Sequence, residues 1–517
     1  MSKHSRYLYL AVFSSGMTTL GVELAAARLL ETVFGTSNIV WANVIGLILV
    51  YLTLGYFIGG RWADRSPHLT TFYRLLTWAA FSAGLIPLVS DPILNVAARA
   101  FPSPDTLSAN IAVIGGSFVS VLVLFALPIT LLGCVSPFAI RLALQHVSEA
   151  GDISGKMYAV STLGSIVGNF TPVLLLIPTV GTTRTFLIFA GVLMVVALLG
   201  LARAGGRWWR YLWMPLVLAA LALLTLPGPI KPVDEGQTLL FEKESAYNLI
   251  QVVEDVQGWR YLLLNEGQGW HSLYHPERLL TGFTWDYFLL APLFNPPPFE
   301  KGQVERVAII GLAAGTIARQ YSAVYGPLPI DGVEIDGEIV RAGHEFFDMD
   351  MPNLNTVVAD GRYFLAHSDQ CYDVIAVDAY RLPYIPWHLT TVEFFQQARD
   401  RLSQDGVLVI NVGRTESDYR LVEAMVATLK VVFPSAHVVP VPDAFNAIIY
   451  ATVQPTVIDN LATNLAALND PFLGPVGQRA LDDWWPMAGN GMVFTDDRAP
   501  VERLTNQIVV RYFLQGE

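Results

Sequence analysis

Seven apolar stretches fill the first 227 residues, near 7–31, 38–60, 71–90, 109–133, 156–180, 184–202 and 209–226. Each is close to the roughly 20 residues that a helix needs to cross a bilayer. In hydrocarbon a backbone has no water to bond, so such a run must close its hydrogen bonds internally as a helix. A multi-pass α-helical membrane domain over 1–227 is therefore expected, with the lipid bilayer as its partner. The first stretch follows Lys3 and Arg6 as a signal peptide would, but it is too long for one and further spans follow, which predicts a retained helix. Composition points the same way. Only 15% of the 517 residues are charged, against about 25% in ordinary soluble domains, and the shortage lies in this half.

Basic residues fall in alternate loops: Lys3 and Arg6, then Arg61, Arg65 and Arg74, then Arg141 and Lys156, then Arg203, Arg207 and Arg210. The positive-inside rule makes that side cytoplasmic. Seven crossings set the rest of the chain on the far side; an unrecognised span, or a seventh segment that lies flat or re-enters, would keep it on the near side. Glu23 and Arg28 lie inside the first span, where ionisable groups are costly. They either pair with each other or a neighbouring helix, or mark a functional site. Gly164 and Gly168, four apart, predict close approach by another helix. The segment Gly60-Arg61-Trp62-Ala63-Asp64-Arg65 resembles a loop motif of major facilitator transporters, but one half-bundle's worth of helices argues against a complete transporter.

Pro227, Gly228, Pro229 and Pro232 punctuate the end of the apolar half. Short alternating runs follow, Ile250 to Val253 and Tyr261 to Leu264, predicting a small antiparallel β unit over 233–295. From 296 to 517 the pattern is α/β. The apolar run Val307 to Ile310 reads as a strand buried on both faces. It leads into Gly311-Leu312-Ala313-Ala314-Gly315, where glycines let the backbone turn sharply and approach a ligand, then a helix from about Thr316. A strand at Gly332 to Ile335 carries Glu334 and is followed by Asp336, about 20 residues beyond the turn, where a dinucleotide-type sheet places its ribose acceptor. A helix at 337–347, a strand at 356–359 ending in Asp360-Gly361, a strand at 373–377 ending in Asp378, a helix at 392–402 and a strand at 407–411 complete the expected order. Glu334, Asp360 and Asp378 thus fall at the carboxyl ends of successive strands, the edge where open parallel sheets bind ligands.

These residues resemble the spermidine synthase (polyamine aminopropyltransferase) family, and the whole chain its membrane-fused branch. The resemblance covers roughly Glu242 to Glu502. It implies a small N-terminal β unit before a Rossmann-like, methyltransferase-type core, which moves an aminopropyl group from decarboxylated S-adenosylmethionine to an amine and releases methylthioadenosine. By resemblance, Gly311 and Gly315 belong to the glycine nucleotide loop, Glu334 and Asp336 to the ribose-binding strand end, Asp360 and Gly361 to the adenine-contacting pair, and Asp378 to the catalytic aspartate. Gln268 matches the glutamine of the substrate gate. The runs from Ile385 to Phe395 and from Thr495 to Glu502 look characteristic of the fused branch. Three positions depart from the family. Ala314 stands where an acid meets the donor's cationic tail, Arg381 where a second acid follows the catalytic one, and Thr284-Trp285-Asp286 where a Tyr-His-Glu type segment lines the pocket. A diamine needs carboxylates at both ammonium ends, so putrescine fits these departures poorly.

The chemistry implied is attack by an amine on the methylene beside a sulfonium, with Asp378 as base and Gln268, Asp286, Tyr380 and His388 as substrate contacts. Proximity and alignment would supply most of the acceleration. A methyltransferase using S-adenosylmethionine on a membrane-associated substrate is the first alternative. A non-catalytic membrane protein that binds a polyamine or nucleoside is the second. The partner expected beyond the bilayer is a small-molecule amine, and self-association as a homodimer is left open. A formal charge of −12 gives no support to a nucleic-acid partner. Cys134 and Cys371 are too few for a disulfide framework, and no histidine–carboxylate spacing suits a metal.

Overall fold

The computed structural model describes residues 3–34, 38–100, 106–265, 269–380 and 384–515. The chain divides into two compact units, one holding Met1–Ser103, Ser108–Pro232 and Glu244–Leu249, the other Pro104–Leu107, Val233–Lys243 and Ile250–Glu517. Among its described residues, the first unit has seven helices long and apolar enough to cross a membrane, from Arg6–Phe34 to Trp208–Thr225. The last of these is α-helical only over Trp213–Thr225, about 20 Å at 1.5 Å per residue.

Small residues set the spacing of these helices. A Cβ built on Gly164 would sit 2.0 Å from the Phe13 carbonyl oxygen, and one on Gly168 would sit 2.1 Å from that of Met17. The expected close approach is therefore made by the first helix. Gly55 and Gly59 do the same against Gly133 and Cys134. Arg28 does not pair with Glu23. Its guanidinium lies 3.2 Å from Glu31 and donates to the carbonyls of Ser245 and Tyr247, in the short segment that belongs to this unit. Asp64 of the transporter-like motif meets Arg141 at 3.1 Å.

Among the described residues, the second unit contains two sheets, apart from the end residues Glu244 and Leu249 of the smaller one. The smaller joins β1 (Thr238–Glu244), β2 (Leu249–Glu254), β3 (Arg260–Leu264) and β4 (Ser272–Tyr274) in sequence order. The larger comprises β5 (Val307–Ile310), β6 (Ile330–Glu334), β7 (Leu354–Val358), β8 (Tyr372–Val377), β9 (Leu402–Gly413), β10 (Ser435–Pro440) and β11 (Asn446–Thr452), ordered β10-β11-β9-β8-β5-β6-β7. Strands β5 to β9 run parallel, and β11 returns antiparallel between β9 and β10. This is a Rossmann-like sheet, and its strand order reverses between β5 and β8. Alternate residues explain why the central strands read as unbroken apolar runs. Val307, Ile309, Val374 and Ala376 enter one core, while Ala308, Ile310, Ile375 and Val377 enter the other.

Strand β9 begins earlier than its sequence suggests. Ser403, Gln404 and Asp405 look like a turn, but a register shift between Tyr372 and Val374 lets them stay within the strand. The preceding helix correspondingly stops at Arg399.

Candidate active site

The reversal between β5 and β8 leaves a crevice at the carboxyl ends of the strands, and the sequence puts its acids there. Gly311 closes β5 with φ +87°, and a Cβ on it would lie 2.5 Å from the Asp378 carbonyl oxygen. Only glycine lets the loop and the end of β8 touch. Gly315 also has φ +87°, with Met349 where a Cβ would project. Between them, Ala313 takes a left-handed φ of 49°, an unfavourable choice for a residue with a Cβ. Its N–H thereby donates to Glu334 Oε2 at 3.0 Å.

Glu334, at the end of β6, accepts from Asp336 N on its other oxygen at 3.2 Å. Burial outweighs these bonds and pushes its carboxyl up to about 7. The loop is held from the opposite side by the small sheet. Ala314 N donates to Ser272 Oγ at 2.9 Å, and Thr316 Oγ1 exchanges hydrogen bonds with the backbone of Leu273. Ala314 is 2% exposed, so its methyl is packed away and no charged side chain stands at that point of the loop.

Asp360 begins the helix Gly361–His367, its Oδ1 accepting from Tyr363 N at 2.9 Å. Gly361 is required by packing, since a Cβ there would meet Ile310 Cγ2 at 2.2 Å. Asp378 follows β8. Its Oδ1 accepts from Asn411 Nδ2 at 2.9 Å, and the Trp285 indole also bonds it. Burial nevertheless pushes this carboxyl up to about 6. Asn446 donates to Asn411 Oδ1 at 2.8 Å, and Tyr380 donates its hydroxyl to the Asn411 carbonyl at 3.2 Å. An aspartate poised near neutrality, aligned by two amides and an indole, can take a proton from an incoming group.

The crevice therefore gathers Gly311, Gly315, Glu334, Asp360, Gly361, Asp378 and Tyr380. Three of the expected site residues are engaged with the protein itself. Asp336 is 2% exposed and caps the helix Gly337–Phe346 through Glu338 N, so it organises a helix terminus. His388 is expected as a substrate contact beside Asp378; its Nε2 instead lies 3.0 Å from Asp360 Oδ2. Asp286 is expected to hold substrate. It is 3% exposed, and its carboxylate accepts from Thr281 N and Oγ1, Gly282 N and Gln320 Nε2. Four donors leave it shaping the loop before the helix Thr284–Phe288. Gln268 and Arg381 lie outside the described residues.

Sequence reasoning misses Trp285, Asn411, Asn446 and Ser272 as site residues. For Asn411 a signal exists, because a polar residue near the carboxyl end of an otherwise apolar buried strand needs a partner.

A model of the spermine/spermidine synthase domain matches residues 292–461. The chain is 33% identical over 284 residues to a probable polyamine aminopropyl transferase of Bifidobacterium longum, covering 52% of this chain and 62% of the relative. It is 31% identical over 274 residues to a polyamine aminopropyltransferase of Vibrio vulnificus, covering 50% of this chain and 87% of the relative. The chain thus spans less than two thirds of the first of these and most of the second. A crystal structure of a probable spermidine synthase from Corynebacterium glutamicum overlays with a TM-score of 0.39 at 20% identity, over 48% of this chain and 95% of that one.

Proposed function

Because this chain belongs to the spermine/spermidine synthase family, we propose that it transfers an aminopropyl group from decarboxylated S-adenosylmethionine to a small amine. In this reading the apolar helices hold the enzyme in a cell membrane as a multi-pass protein. Glu334 accepts hydrogen bonds from the ribose hydroxyls, the Gly311–Gly315 loop borders the nucleoside, and Asp360 with Gly361 meets the base. The amine nitrogen attacks the methylene carbon beside the sulfonium. A C–N bond forms as the C–S bond breaks, its electron pair neutralises the sulfur, methylthioadenosine leaves, and the amine's proton passes to Asp378.

The observation that carries this reading is Asp378: a half-buried carboxyl raised to about 6, held by Asn411 and Trp285 where the strand order reverses. A base must be largely ionised near neutral pH yet still able to accept a proton, and that value satisfies both needs.

Ala314 favours a second reading. With no carboxylate on the loop to meet a cationic aminopropyl tail, unmodified S-adenosylmethionine becomes an alternative donor and methyl transfer the alternative reaction. Purified protein given each donor with a panel of amines separates the two. Amine-dependent methylthioadenosine is expected, whereas adenosylhomocysteine would transfer the assignment to a methyltransferase. Neither product, with no nucleoside binding by calorimetry, would overturn both transfer readings and leave only the polyamine-binding alternative.

A further inference from the structure

The motif from Thr495 to Glu502 takes no part in the proposed reaction, yet it is tied to the base end of the crevice. Thr495 and Arg498 exchange backbone hydrogen bonds at 3.1 and 2.9 Å, making a tight turn. Phe494 anchors that turn, its N–H donating to Thr428 Oγ1 and its carbonyl accepting from Val392 N. Asp496 N donates to Glu393 Oε2 at 3.0 Å, and Thr391 Oγ1 donates to Asp496 Oδ1 at 2.7 Å. The carboxylate so fixed takes both arms of the Arg362 fork, Nη1 to Oδ1 at 2.7 Å and Nη2 to Oδ2 at 2.6 Å.

Arg362 directly follows Asp360-Gly361. Its Nη1 also donates to the His388 carbonyl at 3.2 Å, and its Nε donates to Gln397. The His388 ring closes the circuit on Asp360 Oδ2. An exposed ion pair contributes little by itself. A bidentate fork, however, fixes orientation as well as distance, and the Arg362 side chain is 19% exposed against 40% for Asp496.

We infer that Asp496 is a positioning residue for the nucleoside base: through Arg362 it holds His388 against Asp360 and so fixes the carboxylate edge that the base meets. The inference rests on the proposed assignment of Asp360 to the base. Asp497, the next residue, is exposed and serves as a charge-matched control.

The test is calorimetric binding of methylthioadenosine to the full chain in detergent, together with steady-state kinetics in the nucleoside donor. Asp496→Ala should weaken methylthioadenosine about tenfold and raise the donor's KM to match. It should leave kcat at saturating donor within about twofold. Asp496→Glu should recover part of the affinity, and Asp497→Ala should bind like the unmodified protein. If Asp496→Ala does not fold, Arg362→Lys, which keeps the charge and loses the fork, takes its place with the same expected loss. Equal affinity for Asp496→Ala and Asp497→Ala, or a fall in kcat with KM unchanged, overturns the inference and leaves the proposed function standing. No binding by the unmodified protein overturns both.

Discussion

Glu334 and Asp378, on the two sides of the crevice, are held by opposite means. Glu334, at the end of β6, is fixed by backbone N–H groups from Ala313 and Asp336, while Asp360, at the end of β7, is intermediate, taking the Tyr363 N–H and the His388 ring. At the end of β8, Asp378 is fixed by side chains, the Asn411 amide and the Trp285 indole. Backbone donors come with the fold and cannot be substituted away singly. Side-chain donors can be retuned one residue at a time. The β6 side is thus suited to a constant ligand part and the β8 side to the part that varies.

The strongest test of that division is Asp378→Asn. It should lower kcat roughly a thousandfold, the range of a lost general base, while methylthioadenosine still binds. Loss of binding with kcat kept at saturation would erase the distinction. Gly311→Ala strikes the point where both sides touch. A Cβ 2.5 Å from the Asp378 carbonyl at φ +87° should cost roughly 3 kcal/mol of stability, visible in thermal or denaturant melting. Glu334→Gln should raise the donor's KM by about tenfold or more, since the proposed charge-assisted bond to the ribose would be lost, with kcat little changed.

The smallest expected effect concerns pH. The rate should rise as pH passes through about 6, where Asp378 ionises. Trp285→Phe should move that limb upward, because the indole N–H favours the charged form. An unmoved limb would detach Trp285 from the base. Without substrate, both raised carboxyls favour the fold in their protonated form. That contribution is complete below about 4 and is lost as pH climbs through about 6 for Asp378 and about 7 for Glu334.

The same contrast governs what can be foreseen from the sequence. Strands β5 and β8, the glycine turn and the acids at the strand ends are legible because four- to six-residue, mainly apolar runs between turn residues fit little besides buried strands. By contrast, β6 and β7 carry polar residues, and each starts two residues earlier than its sequence suggests. Glu334 and Asp360 follow from local spacing, as do their backbone donors. The surroundings of Asp378 do not. Trp285 precedes the core and Asn446 lies on the returning strand, so their meeting depends on tertiary order rather than on spacing. The roles of His388 and Asp286 escape the sequence for the same reason. It sets them near the pocket, but His388 meets Asp360, 28 residues upstream, and Asp286 is engaged by Thr281 and Gly282 in its own loop and by the distant Gln320. The start of β9 is hidden because polar residues in a bulged strand imitate a turn.

The bonds from Ser272 and Leu273 to the glycine loop have a consequence for modularity. The Rossmann-like core looks like a cassette that could be excised at Pro296 and carried elsewhere. Yet its glycine loop is completed by β4, which lies upstream of that cut. The small sheet is the outer wall of the site, so the two would have to be inherited, transplanted or engineered as a single piece.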